Sequence, residues 1–158
     1  MEQDPVEWMT ELLKLMGYPP QVRMTVKDSG GIPNYWLEID TSGYTAQQIQ
    51  NLIGQDGSVI DAIQYLANAI LNVGNSESEY KFYTVEIAGY RANRIAQLEK
   101  MAQEAAAWVR AKGKEYKIEN LSAAERRQVH LFLQKQGDVI TESVGKEPNR
   151  HLIIKPKF

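Results

Sequence analysis

Apolar residues first recur at helical spacing. Val6, Met9, Leu12, Leu13 and Met16 fall on one face of a helix read from residue 5 onward. Asp4 stands at the N-cap, Pro5 at the first helical position and Glu7 at the third, which together form a start signal. Gly17, Pro19 and Pro20 stop the helix. Two extended runs follow, 22–27 and 35–40. Asp28-Ser29-Gly30-Gly31 and Pro33-Asn34 lie between them, so the pattern predicts an antiparallel hairpin with a longish loop.

Thr45 and Gln48 form a capping box, with Tyr44 and Ile49 spaced as its hydrophobic staple. The short helix they open ends at Ile53-Gly54. Ser58 opens another, on which Ile60, Ile63, Ala67, Ile70 and Leu71 share a face and which Gly74 closes. Residues 80–88, aromatic and β-branched, read as a strand. A long helix is predicted over 91–112. Ile95, Leu98, Ala102, Ala105 and Val109 form its buried stripe, and Gly113 sits at C′. A strand at 115–118, a helix over 122–134 with a Ser122/Glu125 capping box, and strands at 139–144 and 151–155 complete the chain. The final turn is 145–149.

Composition changes this picture little. With 43% hydrophobic and 24% charged residues, 158 residues suffice for one domain or two small ones with buried cores. The lack of cysteine excludes disulfides, thiolate zinc sites and thiol catalysis. No apolar run approaches the roughly 20 residues of a membrane span. The first residues lack a basic n-region and an apolar h-region, so a cytoplasmic protein without a signal peptide is expected. Charge is more informative. Net charge is −2, but residues 1–112 carry nine Lys/Arg against fourteen Asp/Glu, whereas 113–158 carry nine against six. A polyanion should therefore prefer the C-terminal part.

Two places could carry chemistry. In Gly54-Gln55-Asp56-Gly57, the glycines let backbone approach a ligand, and the loop feeds the Ser58 helix, whose N-terminal N–H groups favour phosphate. By itself this spacing also suits a plain helix–helix turn. Together with Leu52-Ile53 before it and Ile60-Asp61-Ala62-Ile63-Gln64-Tyr65-Leu66 after it, the loop resembles a KH domain. The order αββααβ is similar to the type II arrangement over residues 5–88. That resemblance implies a loop that clamps a nucleic-acid backbone. Such loops usually carry Lys or Arg between the glycines, where this chain has Gln55-Asp56. A carboxylate about 4 Å from a phosphate costs about 1 kcal/mol in water and more where water is excluded.

The second place is Arg126 and His130, four apart on one helix face, with Arg127 beside them. An Arg fork can grip phosphate in bidentate fashion, and His can donate to it. Glu125-Arg126-Arg127-Gln128-Val129-His130, Thr141-Glu142-Ser143-Val144-Gly145 and Glu147-Pro148-Asn149-Arg150 resemble the domain named for its Arg-xxx-His motif, over about residues 90–158. The resemblance implies single-stranded nucleic-acid binding and maps the motif onto Arg126 and His130. Lys146 and Arg150 extend the same basic surface.

In this order the two modules resemble the bacterial Jag/KhpB family, without the extra N-terminal domain that many members carry. The fold class implied is α+β: a KH domain at 1–89 with its loop at 54–57, then a small α/β domain at 90–158 with a three-stranded sheet. The nucleic-acid-binding residues implied are Gly54, Gln55, Asp56, Gly57, Ser58, Arg126, Arg127, His130, Lys146 and Arg150. The family implies a post-transcriptional regulator linked to cell elongation or division. Its implied partners are single-stranded RNA, with single-stranded DNA as an alternative, and a small single-KH protein or a second copy. No cofactor, metal or membrane insertion is expected. A rival reading is a protein-pairing scaffold, supported by the overall acidity and by Asp56. Catalysis is not expected: HExxH, GxSxG and GxxxxGK[ST] are all missing, and Asp56 and Asp61 suit a helix start. Trp8, Trp36, Trp108 and most tyrosines read as packing residues. His151 reads as an exposed strand residue, and Arg91, Arg94 and Arg110 as a solvated helix face.

Overall fold

The computed structural model describes residues 2–157, apart from the side chain of Ser29. Its contacts divide the chain into two units, one ending at Arg91 and the other beginning at Ala92.

In the first unit, α1 (Pro5–Met16) starts where the Asp4 carboxylate accepts from the N–H groups of Val6 and Glu7, at 2.8 and 3.2 Å. It stops where Gly17 turns left-handed. Strands β1 (Val22–Ser29) and β2 (Ile32–Ile39) then pair antiparallel. The longish loop expected between them is instead a two-residue turn. Gly30 and Gly31 both have positive φ, 63° and 86°, as a type I′ hairpin turn requires. Pro33 is tolerated inside β2 because it sits opposite Asp28, one position past the closing pair, where its N–H would face away from β1. The ladder to β3 (Phe82–Ile87) begins only at Asn34.

Helices α2 (Ala46–Ile53) and α3 (Ser58–Leu71) form the crossover to β3, which lies parallel to β2 in the order β1-β2-β3. The Thr45–Gln48 capping box is formed. Alternate residues Leu37, Ile39, Tyr83, Val85 and Ile87 meet Met9, Leu13, Leu52, Ile60, Ile63, Ala67 and Leu71, so all three helices cover one sheet face. The αββααβ order is that of a KH-like unit. The outer edge of β3 is closed by side chains. Gln64, Asn68 and Asn72, four apart along α3, face it in a row. The Asn68 amide donates to Tyr83 O (2.9 Å) and accepts from Tyr83 N (2.8 Å). Asn72 does the same with Lys81, at 2.8 Å each way, and Gln64 accepts from Val85 N at 3.0 Å. These amides satisfy backbone groups that would otherwise invite another strand.

The long helix α4 (Tyr90–Lys112) runs into the second unit, followed by β4 (Tyr116–Ile118), α5 (Ala123–Gln134), β5 (Val139–Val144) and β6 (His151–Pro156). The sheet is antiparallel in the order β4-β6-β5. Leu98, Ala102, Ala105, Ala106 and Val109 of α4 pack on Val129 and Leu133 of α5 and on Ile118, Val139, Leu152 and Ile154 of the sheet. Ile95, expected in this stripe, is exposed. The three arginines read as a solvated face are cross-element ties. Arg91 Nη1 binds Asp61 Oδ1 at 2.6 Å. Arg94 grips both oxygens of Glu125 at 2.8 and 3.1 Å. Arg110 joins Gln136 and Asp138, at 2.6 and 2.9 Å through Nη2. Helical spacing placed them on α4 but could not show acceptors 26 to 31 residues away.

Candidate nucleic-acid interface

The Gly-loop is built by backbone conformations that side chains resist. Gly54 has φ 77° and ψ 176°, Asp56 is left-handed at φ 54°, and Gly57 is left-handed at φ 80°. A Cβ on Gly54 would lie 2.8 Å from the backbone nitrogen of Val59. One on Gly57 would lie 2.8 Å from Cζ of Tyr90. Both glycines are therefore fixed by packing as well as by φ. Gly57 is buried under the Tyr90 ring, while Gln55, Asp56 and Ser58 are exposed. No side chain caps α3 here. Its first-turn N–H groups are left to an outside acceptor, and the helix dipole favours an anion. The exposed Asp56 carboxylate stands at the same spot.

In the second unit, the Ser122–Glu125 capping box starts α5. Arg126, one turn in, differs from the open cation that spacing suggested: it is 5% exposed. Its Nη1 donates to Leu121 O at 2.7 Å and to Arg150 O at 3.3 Å, and its Nη2 pairs with Glu147. Arg150 is likewise committed. Its Nε donates to Ser143 Oγ (2.8 Å), its Nη1 to Gly145 O (2.6 Å) and its Nη2 to Ser143 O (3.2 Å). The two arginines thus lace the 145–150 turn to itself and to the start of α5. Glu147, Ser143 and Leu121, their acceptors, carried no signal in the sequence, because only folding brings them into reach.

His130 lies one turn beyond Arg126, is exposed, and hydrogen-bonds through Nδ1 to Thr141 Oγ1 on β5. Arg126 and His130 share a helix face, as their spacing requires, and that face meets the β5–β6 hairpin. Arg127 and Lys146 are exposed and have no carboxylate partner among the described residues. Among the described residues no cluster of His, Asp and Glu could hold a metal ion, and no helix is long and apolar enough to cross a membrane.

A KH-like αββααβ unit followed by a small unit built around an Arg-xxx-His helix defines the class of protein. Residues 96–156 match the Arg-xxx-His domain family, a nucleic-acid-binding domain rather than an enzyme family. The chain belongs to the Jag/KhpB family. Over 157 residues, 99% of its length, it is 28% identical to the RNA-binding protein KhpB of Clostridium symbiosum and spans 67% of that protein. It is 30% identical to KhpB of Streptococcus pneumoniae serotype 2 over 75% of this chain and 34% of that one. With KhpB of Bacillus subtilis it shares 30% identity over 72% of this chain and 54% of the relative. The chain therefore spans between about one third and two thirds of the length of these relatives.

Proposed function

We propose that this chain binds single-stranded nucleic acid, RNA in preference to DNA, chiefly through its second unit. The observation that carries this is the pair of exposed, unpartnered cations, Arg127 and Lys146, on the helix and turn that Arg126 and Arg150 tie together. His130 stands exposed on the same helix. The printed name of the relatives, RNA-binding protein, and the match to the Arg-xxx-His domain family support the same reading. In it Arg126 and Arg150 set the shape of the surface, and Arg127, His130 and Lys146 meet phosphate. The Gly54–Gly57 loop is a second, weaker contact, where the α3 N–H groups attract phosphate and Asp56 repels it. The modules divide near residues 89 and 90. The wider role is post-transcriptional regulation in the cytoplasm, tied to cell elongation or division, with a single-KH protein as partner.

The test is binding of a single-stranded RNA and its DNA counterpart across a salt series. Log affinity should fall linearly with log salt, and Arg127→Ala and Lys146→Ala should each reduce the slope by about 0.7. DNA should bind more weakly if 2′-hydroxyls are read. A wild-type chain that binds neither at low salt is a protein-pairing scaffold instead.

A further inference from the structure

The face of the first sheet opposite α1, α2 and α3 presents side chains in rows set by strand register. The row nearest the hairpin is Lys27, Asn34 and Phe82. The next is Thr25, Trp36 and Thr84, and the third is Arg23, Glu38 and Glu86. Most charges in these rows are already spent. Arg23 pairs with Glu38 at 2.8 Å, and Glu86 accepts the Arg91 backbone N–H at 3.0 Å. Lys27 is different. Its ammonium lies 3.7 Å from the Trp36 ring centroid, and no carboxylate pairs with it among the described residues. Beside it Thr84 donates to Asn34 Oδ1 at 2.9 Å, which leaves the Asn34 amide nitrogen as a donor. Phe82 is 49% exposed. Tyr80, 42% exposed, braces it edge-on with ring centroids 5.0 Å apart.

These features select an occupant. An aromatic face held in place, an uncompensated cation and an amide donor are what a stacked base, its phosphate and its polar edge need. An apolar protein surface placed here would have to bury the Lys27 charge with no partner on this chain, which is costly. We propose that this open sheet face is a base-stacking platform for single-stranded nucleic acid. A base stacks on Phe82, Lys27 takes its phosphate and Asn34 donates to the base edge. The proposal rests on the reading of the chain as a nucleic-acid binder, but it uses neither the Gly-loop nor the Arg-xxx-His helix.

The experiment compares oligo(A) with oligo(U) on the full chain. Phe82→Leu keeps the apolar bulk and removes the ring. It should weaken oligo(A) binding about 5- to 150-fold, reduce any preference for A over U, and leave the salt slope unchanged. Lys27→Gln should weaken both oligonucleotides and lower the slope by about 0.7. With Trp8 and Trp108 changed to Phe, Trp36 is the remaining indole, and oligo(A) should alter its fluorescence in the parent but not in Phe82→Leu. Unchanged oligo(A) affinity in Phe82→Leu, with a Trp36 signal indifferent to oligo(A), overturns the platform while leaving nucleic-acid binding elsewhere intact. A Phe82→Leu chain that loses self-association instead of RNA assigns the face to a second copy and also overturns it. A wild-type chain that binds no oligonucleotide at low salt removes the functional reading itself.

Discussion

Arg126→Met separates anchoring from gripping. Methionine retains much of the bulk but leaves the carbonyls of Leu121 and Arg150 without their donor. A hydrogen bond from a charged group contributes about 1.5–3 kcal/mol. The Leu121 bond, short at 2.7 Å and buried, belongs near the top of that range, and the 3.3 Å bond to Arg150 at or below its bottom. The Glu147 carboxylate is 59% exposed, so its pairing is screened and adds well under about 1 kcal/mol. The expected loss is about 3–4 kcal/mol, confined to the second unit. Urea unfolding can be followed there by Trp108, which packs against Tyr116 with centroids 5.5 Å apart, once Trp8 and Trp36 are changed to Phe. Glu147→Gln in the same background should cost less than about 1 kcal/mol. If Arg126→Met also costs under about 1 kcal/mol, or if Glu147→Gln costs as much as it does, the anchoring account is wrong. Among molecules that stay folded, Arg126→Met should leave the salt slope of RNA binding unchanged. A fall of about 0.7 would mean that Arg126 leaves Glu147 to meet phosphate directly.

Two further expectations concern the first unit. Gly57→Ala combines left-handed backbone, about 1–2 kcal/mol, with overpacking against Tyr90, about 1–3 kcal/mol, for a total of about 2–5 kcal/mol. In a Tyr90→Ala background only the backbone part should remain, and a double-mutant cycle in urea showing no coupling between the two positions would contradict the packing. The Tyr44 hydroxyl donates to Pro19 O at 2.8 Å, and burial pushes its pKa up to about 12. Because the fold favours the neutral phenol, this contribution is complete below its unfolded value of about 10 and is lost as pH rises through 12. Stability of the first unit should therefore decline over that window. Tyr44→Phe should flatten the decline in part, leaving what Tyr83, also raised by burial, contributes. An identical pH profile in the variant would show that Tyr44 is not responsible.

The sequence alone determined what neighbours along the chain decide. Asp4, Thr45 and Ser122 mark helix starts because a cap bonds N–H groups two or three residues on, and all three caps are formed. Gly17 ends α1 for an equally local reason. The order αββααβ, the long α4 and the strand at Val139–Val144 follow from periodicity and turn residues. Tertiary structure decided the fate of the charged and amide side chains. Spacing put Arg126 and His130 on one face, but whether that face met water or a hairpin depended on acceptors contributed by Glu147 and Arg150, 21 and 24 residues away. It likewise turned Arg91, Arg94 and Arg110 into ties and lined Gln64, Asn68 and Asn72 against the edge of β3. The physical reason is range. Caps and periodicity are satisfied within a turn of backbone, whereas a charge is buried or free according to the partners that distant segments bring to it.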